Sequence, residues 1–229
     1  MSLVYNEPIK AVIFDNDGTL MNTEWVYSVA HKECTGSELT WDLKIHLMGK
    51  TPLEACKVTC DWLHLEESPE SLCKRRTELV EKYWPTIPMM PGAEELVNNL
   101  SNRKIRIAIA TASNHSGFEL KSSGHRDVVA KMDHIICGDD VKHGKPEPDL
   151  FLAALHSWKE PIDPKNALVF EDSPLGIAAA NRAGMPSVFV PDPHMDVESA
   201  LKEYDAHPTL VINSLENFNF DNFKWEPKC

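Results

Sequence analysis

Apolar residues fall in short runs separated by longer stretches with helical spacing. Ile9–Phe14, broken only by Lys10, reads as one buried strand of a parallel sheet. Ile105–Ala110, His134–Cys137, Ala167–Phe170, Pro186–Val190 and Thr209–Ile212 read as further strands. Between them the spacing predicts helices at Gly92–Leu100, around Phe118–Lys121 and Val128–Lys131, at Asp149–Trp158 and at Ile177–Ala183. Strand and helix alternate, the pattern of an α/β fold on a Rossmann-like parallel sheet.

One interval breaks the alternation. Ile105 lies ninety positions beyond Asp15, whereas a parallel crossover needs only about a dozen residues. The excess is helical. Asn22-Thr23 starts a helix carrying Trp25, Val26, Val29 and Ala30, and Trp41–Leu47 leads to a break at Met48-Gly49-Lys50. Thr51-Pro52 opens another helix, Ser68-Pro69 restarts it, and Pro85, Pro88 and Pro91 end it. The expectation is an α/β core of residues 1–19 and 87–229 with an inserted helical domain at 20–86.

Composition narrows the function classes. The 229 residues carry a net charge of −12, which disfavours holding nucleic acid or an anionic membrane by bulk charge. No run approaches the roughly 20 apolar residues of a membrane span, and no basic-then-apolar leader is visible. The six cysteines form no CxxC pair and read as free thiols in a reducing compartment. A cytoplasmic, monomeric protein is expected.

Candidate chemistry begins where the first strand ends, in Asp15-Asn16-Asp17-Gly18-Thr19. The carboxyl end of a strand is where an open parallel sheet binds ligands, and Gly18 lets the chain turn away. Two carboxylates this close repel. Either a divalent cation binds between them, or one keeps a proton and acts as an acid while the other attacks. Thr111 ends the next long strand, and its hydroxyl, with the amides of Ala112, Ser113 and Asn114 at a helix start, can donate to a phosphate oxygen. Lys145, between Gly144 and Pro146, can hold an anion. Glu171-Asp172 closes a very apolar strand and offers the oxygen ligands that Mg²⁺ prefers.

The order DxDGT, hydroxyl after a strand, GKPxPD, apolar strand ending in ED resembles the haloacid-dehalogenase superfamily of phosphohydrolases over nearly the whole chain. The resemblance implies Asp15 as the nucleophile that becomes an aspartyl-phosphate, with Asp17 as acid and then base. It implies phosphate binding by Thr111 and Lys145. Mg²⁺ would be held by Asp15, the Asp17 carbonyl and Asp172, with Glu171 beside them. The inserted helices resemble the cap of the beta-phosphoglucomutase subclass, which closes over substrate and sets specificity. Trp41 to Lys50, Met89–Ala93 and Gly138–Pro146 look like the eukaryotic GS1-like group, which includes pseudouridine-5'-phosphatase and plant glycerol-3-phosphatases. Asn16 departs from the pattern, since the residue between the two aspartates is usually apolar.

The implied activity is Mg²⁺-dependent hydrolysis of a small phosphorylated metabolite, pseudouridine 5'-phosphate being the first choice. A phosphomutase using the same residues is the alternative, and a non-catalytic binding protein a third. A true dehalogenase has no use for Asp17 or Asp172. Gly49 and Lys50 are the candidate substrate contacts in the inserted domain, with Met48 shaping the loop. Lys121, His125 and Arg126 form a basic cluster that could contact substrate, with a solvated helix face the favoured reading. Most of Trp25, Trp41, Trp62 and Trp84 read as core, one of them able to stack on a base or sugar.

Overall fold

The computed structural model describes residues 3–47 and 50–228. The chain divides into two compact units, Met1–Asn22 with Pro88–Cys229, and Thr23–Ile87. Leu20 and Met21 stay with the first unit. Met21 bridges to both Asp17 and Met89, and Met90 N–H donates to the Leu20 carbonyl at 2.8 Å.

The Thr23–Ile87 unit is helical: α1 (Thr23–Thr35), α2 (Trp41–Leu47), α3 (Pro52–Leu63) and α4 (Pro69–Tyr83). Local signals set its boundaries. Thr51 and Glu54 form a reciprocal capping box at the start of α3, with Pro52 in the first turn, and His64 ends the helix in a left-handed conformation at φ 53°. Ser68 caps α4 through the Ser71 amide. Cys56, Cys60 and Leu72 form the buried centre, with Cys34, Leu65 and Cys73 packed against them. The five cysteines among the described residues are free. Trp84 is buried, but Trp62 is 45% exposed and lies against His46. Trp25 and Trp41 are half-buried, so of the four tryptophans only Trp84 is core, fewer than expected.

The larger unit carries β1 (Pro8–Ile9), β2 (Ala11–Phe14), β3 (Arg106–Ala110), β4 (His134–Ile136), β5 (Ala167–Glu171), β6 (Ser187–Phe189), β7 (Leu210–Val211) and β8 (Lys224–Trp225). Its helices are α5 (Ala93–Asn102), α6 (His115–Ser122), α7 (Arg126–Val129), α8 (Asp149–His156), α9 (Pro174–Arg182) and α10 (Val197–Glu203). Six strands form one parallel sheet in the order β4-β3-β2-β5-β6-β7. The single strand expected from Ile9 to Phe14 is two. Lys10 N–H turns to the Asn166 carbonyl, and Pro8–Ile9 pairs instead with Lys224–Trp225.

Small residues let helices approach the sheet closely. Ala11, Ala108, Ala110 and Ala167 face Leu150, Phe151 and Ala154 of α8, Ala179 and Ala180 of α9, and Ala183 just past its end. On the opposite face Phe14 stacks on Phe170 at 5.0 Å, and Phe218 meets Phe170 edge-on. Among the described residues no helix is long and apolar enough to cross a membrane.

The start of α5 depends on Gly92, whose φ is +80° and whose added Cβ would lie 2.4 Å from the Glu216 nitrogen. Backbone cannot yield as a flexible side chain can. Gly92→Ala is expected to cost more than about 1 kcal/mol, from strain plus displacement of the 215–217 turn. Urea unfolding should show a lower midpoint at constant m; an unchanged midpoint refutes the close approach.

Candidate active site

Strand register brings the candidate residues to one edge. Phe14 is in register with both Ile109 and Phe170, so Asp15, Ala110-Thr111 and Glu171 leave the sheet at the same level. Asp15 N–H donates to the Phe170 carbonyl at 3.0 Å, and Thr111 N–H to the Ile136 carbonyl at 3.0 Å. This edge is formed by the carboxyl ends of the three central strands, where an open parallel sheet places its ligand site.

Asp15 is 6% exposed, and the Lys145 ammonium donates to its Oδ1 at 2.5 Å. The same ammonium donates to Glu171 Oε1 at 2.6 Å and lies 5.0 Å from the Phe151 ring centre. The other Glu171 oxygen accepts the Ser173 amide at 2.8 Å at the start of α9. Glu171 therefore fixes the lysine, which in turn holds Asp15. A Cβ on Gly176 would fall 1.8 Å from Glu171 Oε1, so this packing requires glycine there.

Asp172 accepts a hydrogen bond from Thr19 Oγ1 at 3.2 Å. It also lies against the Asp17-Gly18 turn, where a Cβ on Gly18 would meet its Oδ2 at 2.1 Å. Asp17 is more open, and three donors converge on it. Lys121 Nζ reaches Oδ1 at 2.5 Å, while Thr111 Oγ1 and Ser113 Oγ reach Oδ2 at 3.2 and 2.9 Å. Lys121 thus belongs to this cluster and not to a solvated helix face. Residue spacing hides this, because its partner lies 104 positions away.

Electrostatics follow from the crowding. Burial, with Glu171 and Asp17 adding to it and Lys145 opposing it, pushes the Asp15 carboxyl up to about 7. Burial and the carboxylates of Glu171 and Asp15 likewise raise Asp172 well above the usual range. Burial works against the charge on Lys145, but Asp15 and Glu171 outweigh it and raise its pKa above that of an ordinary lysine. Four carboxylates here face two ammonium groups. A divalent cation with a preference for hard oxygen ligands fits both the charge deficit and the donor set of Asp15, Asp172 and the backbone beside Gly18.

The loop after β3 is ordered by its own side chains. Thr111 Oγ1 accepts the Ser113 amide at 3.1 Å, and Asn114 caps α6 through the Gly117 amide at 2.9 Å. Ala112 packs its carbonyl against Gly138, where a Cβ would lie 2.4 Å away. Beyond this loop His115, Cys137, Asp139 and Asp140 place donor atoms within 4.8 Å of one another. Their groups already serve local turns: Asp140 accepts the Cys137 amide, Asp139 accepts the His115 amide, and the His115 ring meets Asp140.

Lys50 is exposed, directly before the α3 cap. With Lys44, Arg76 and apolar side chains it lines a 380 Å³ cavity inside the helical unit. Gly49 and Met48 lie outside the described residues. Asn16 is fully buried, and neither atom of its side-chain amide has a hydrogen-bond partner.

Residues 12–190 match the family model of the haloacid dehalogenase-like hydrolases. A (DL)-glycerol-3-phosphatase of Arabidopsis thaliana is 38% identical over 96% of this chain and 92% of its own. A Drosophila melanogaster protein named as a probable pseudouridine-5'-phosphatase is 35% identical over 92% of each chain. In fold, a hydrolase of Deinococcus radiodurans solved with phosphate and sodium superposes with a TM-score of 0.77 at 23% identity, covering 92% of this chain and 93% of its own.

A buried amide without partners costs its desolvation and returns nothing. Asn16→Leu, of similar size, is expected to raise stability by about 1–3 kcal/mol. A higher urea midpoint at constant m is the expected reading; a lower one means that the amide is paired.

Proposed function

The chain belongs to the haloacid dehalogenase-like hydrolase family, and we propose that it is a Mg²⁺-dependent phosphomonoesterase acting on a small alcohol phosphate through an aspartyl-phosphate. The observation that carries this reading is the pairing of a buried Asp15, held by Lys145, with a second carboxylate two residues on that is held by separate donors. Relatives named for glycerol 3-phosphate and pseudouridine 5'-phosphate support the substrate class.

In the first step an Asp15 carboxylate oxygen attacks phosphorus. The phosphorus–ester oxygen bond breaks, and Asp17 gives its proton to the departing alcohol. In the second step Asp17 takes a proton from water, whose oxygen forms the new bond to phosphorus. Asp15 leaves as a carboxylate, releasing inorganic phosphate. Thr111 Oγ1, Lys145 Nζ and the amides of Ala112, Ser113 and Asn114 hold the phosphoryl oxygens.

Asp15, the Asp17 carbonyl and Asp172 would hold Mg²⁺, while Glu171 orients Lys145. The metal, when bound, neutralises charge on the transferring phosphoryl group. The reaction stays a hydrolysis only if water reaches the phosphorylated Asp15, and a mutase would instead return the phosphoryl group to bound sugar.

Phosphate release from a panel of glycerol 3-phosphate, pseudouridine 5'-phosphate, sugar phosphates and nucleoside monophosphates tests the reading. Mg²⁺-dependent release from an alcohol phosphate is expected, with none from folded Asp15→Asn. Activity retained by that variant rules out Asp15 as the nucleophile. A requirement for a bisphosphorylated activator points to the mutase.

The raised Asp15 pKa gives a second test. Its folded value, about 7, exceeds the ordinary carboxyl value of 3.8, so the metal-free fold binds a proton more tightly than the unfolded chain. This contribution is present at low pH and fades as pH rises through about 7. Below that pH a metal must displace the proton. Mg²⁺ is therefore expected to raise the melting temperature more at pH 8 than at pH 5.5. An equal or reversed effect in differential scanning fluorimetry contradicts Asp15 as a ligand.

A further inference from the structure

We propose that Lys121 is the positioning residue for the Asp17 acid, fixing its carboxylate so that the proton is delivered to the leaving oxygen. The inference rests on the phosphomonoesterase reading and adds a part that the motif order does not contain.

Lys121 occupies the last turn of α6, and long helical side chains lean back toward the N-terminal end. That direction carries its ammonium to Ser113, whose Oγ it meets at 2.9 Å, and to Asp17 Oδ1 at 2.5 Å. Its side chain is 14% exposed and that of Asp17 28%, so the pair is partly shielded from solvent screening. Ser113 Oγ donates to the other Asp17 oxygen at 2.9 Å. With both oxygens anchored from different elements, the carboxylate cannot rotate without losing charge-assisted contacts.

The two ammonium groups divide the work. Lys145 lies on Asp15 and Glu171, whereas Lys121 lies on Asp17. A small misplacement of a reacting group costs up to about 10²-fold in rate, so loss of this anchor should appear wherever proton delivery matters.

Leaving-group dependence isolates that role. An alkyl phosphate releases an alkoxide that must be protonated as the bond breaks, whereas p-nitrophenyl phosphate releases a phenolate that departs unaided. Lys121→Met is expected to lower kcat/KM for glycerol 3-phosphate at least about 10-fold, within the range of general-acid catalysis, and for p-nitrophenyl phosphate less than about 3-fold. Lys121→Arg, which keeps the charge, should recover most of the alkyl activity. Added to Asp17→Asn, Lys121→Met should cause little further loss, because both act on one step.

Equal losses on both esters, or a KM increase shared by both, overturn the inference in favour of a packing or phosphate-binding role. Full additivity with Asp17→Asn overturns it as well. Should Lys121→Met fail to fold, Ser113→Ala removes the opposite anchor and must show the same alkyl-selective loss. If the wild-type protein hydrolyses neither ester with Mg²⁺, the functional reading itself fails, an outcome distinct from those above.

Discussion

The site depends on four carboxylates being held together at one sheet edge against their mutual repulsion. Asp15, Asp17, Glu171 and Asp172 lie where β2 and β5 end in register, and each has a defined partner. Lys145 bridges Asp15 and Glu171, Thr19 holds Asp172, and Lys121 with two hydroxyls holds Asp17. Gly18 and Gly176 make room where a side chain would collide with Asp172 and Glu171. The central strands can bring such charges close because their other residues are buried among α8 and α9 through small side chains.

The parts visible in sequence are those whose signal is local. Phe14-Asp15 and Phe170-Glu171 each join an apolar run to an acid, and a strand end is the one place where both demands are met. Chain order then implies one site, because consecutive parallel strands deliver their carboxyl ends to one edge. The helical insertion is legible for a related reason: the distance from Asp15 to Ile105 far exceeds a crossover. Its edge is placed less well by sequence, since Leu20 and Met21 look like the start of helical spacing yet pair back to residues 89 and 90.

What escaped sequence reasoning depends on long-range packing. Lys121 sits in a charged stretch on a helix, and its spacing matches a solvated face. Only the tertiary approach of α6 to the turn after β2 brings it to Asp17. The Ile9–Phe14 run splits because Asn166 captures the Lys10 amide and because β1 finds β8 more than 200 positions later. Asn16 is flagged by its type, but its isolation inside the core follows from neighbours that supply no donor or acceptor. Trp62 has a core-forming composition at an exposed position.

A deficit of positive charge at a site is destabilising in an empty fold and useful in a working one. Burial first, and then the neighbouring carboxylates, raise the pKa of Asp15 and Asp172. The lysines do not cancel that rise. Lys145 pairs with Asp15, and Glu171 holds it there through an oxygen that the Ser173 amide leaves available. A site with its charges already balanced would attract neither a divalent cation nor the phosphate accompanying it. In the proposed phosphomonoesterase the incomplete pairing couples stability to ligand capture, and the fixed partners present already oriented groups to the cation and phosphate that this reading requires.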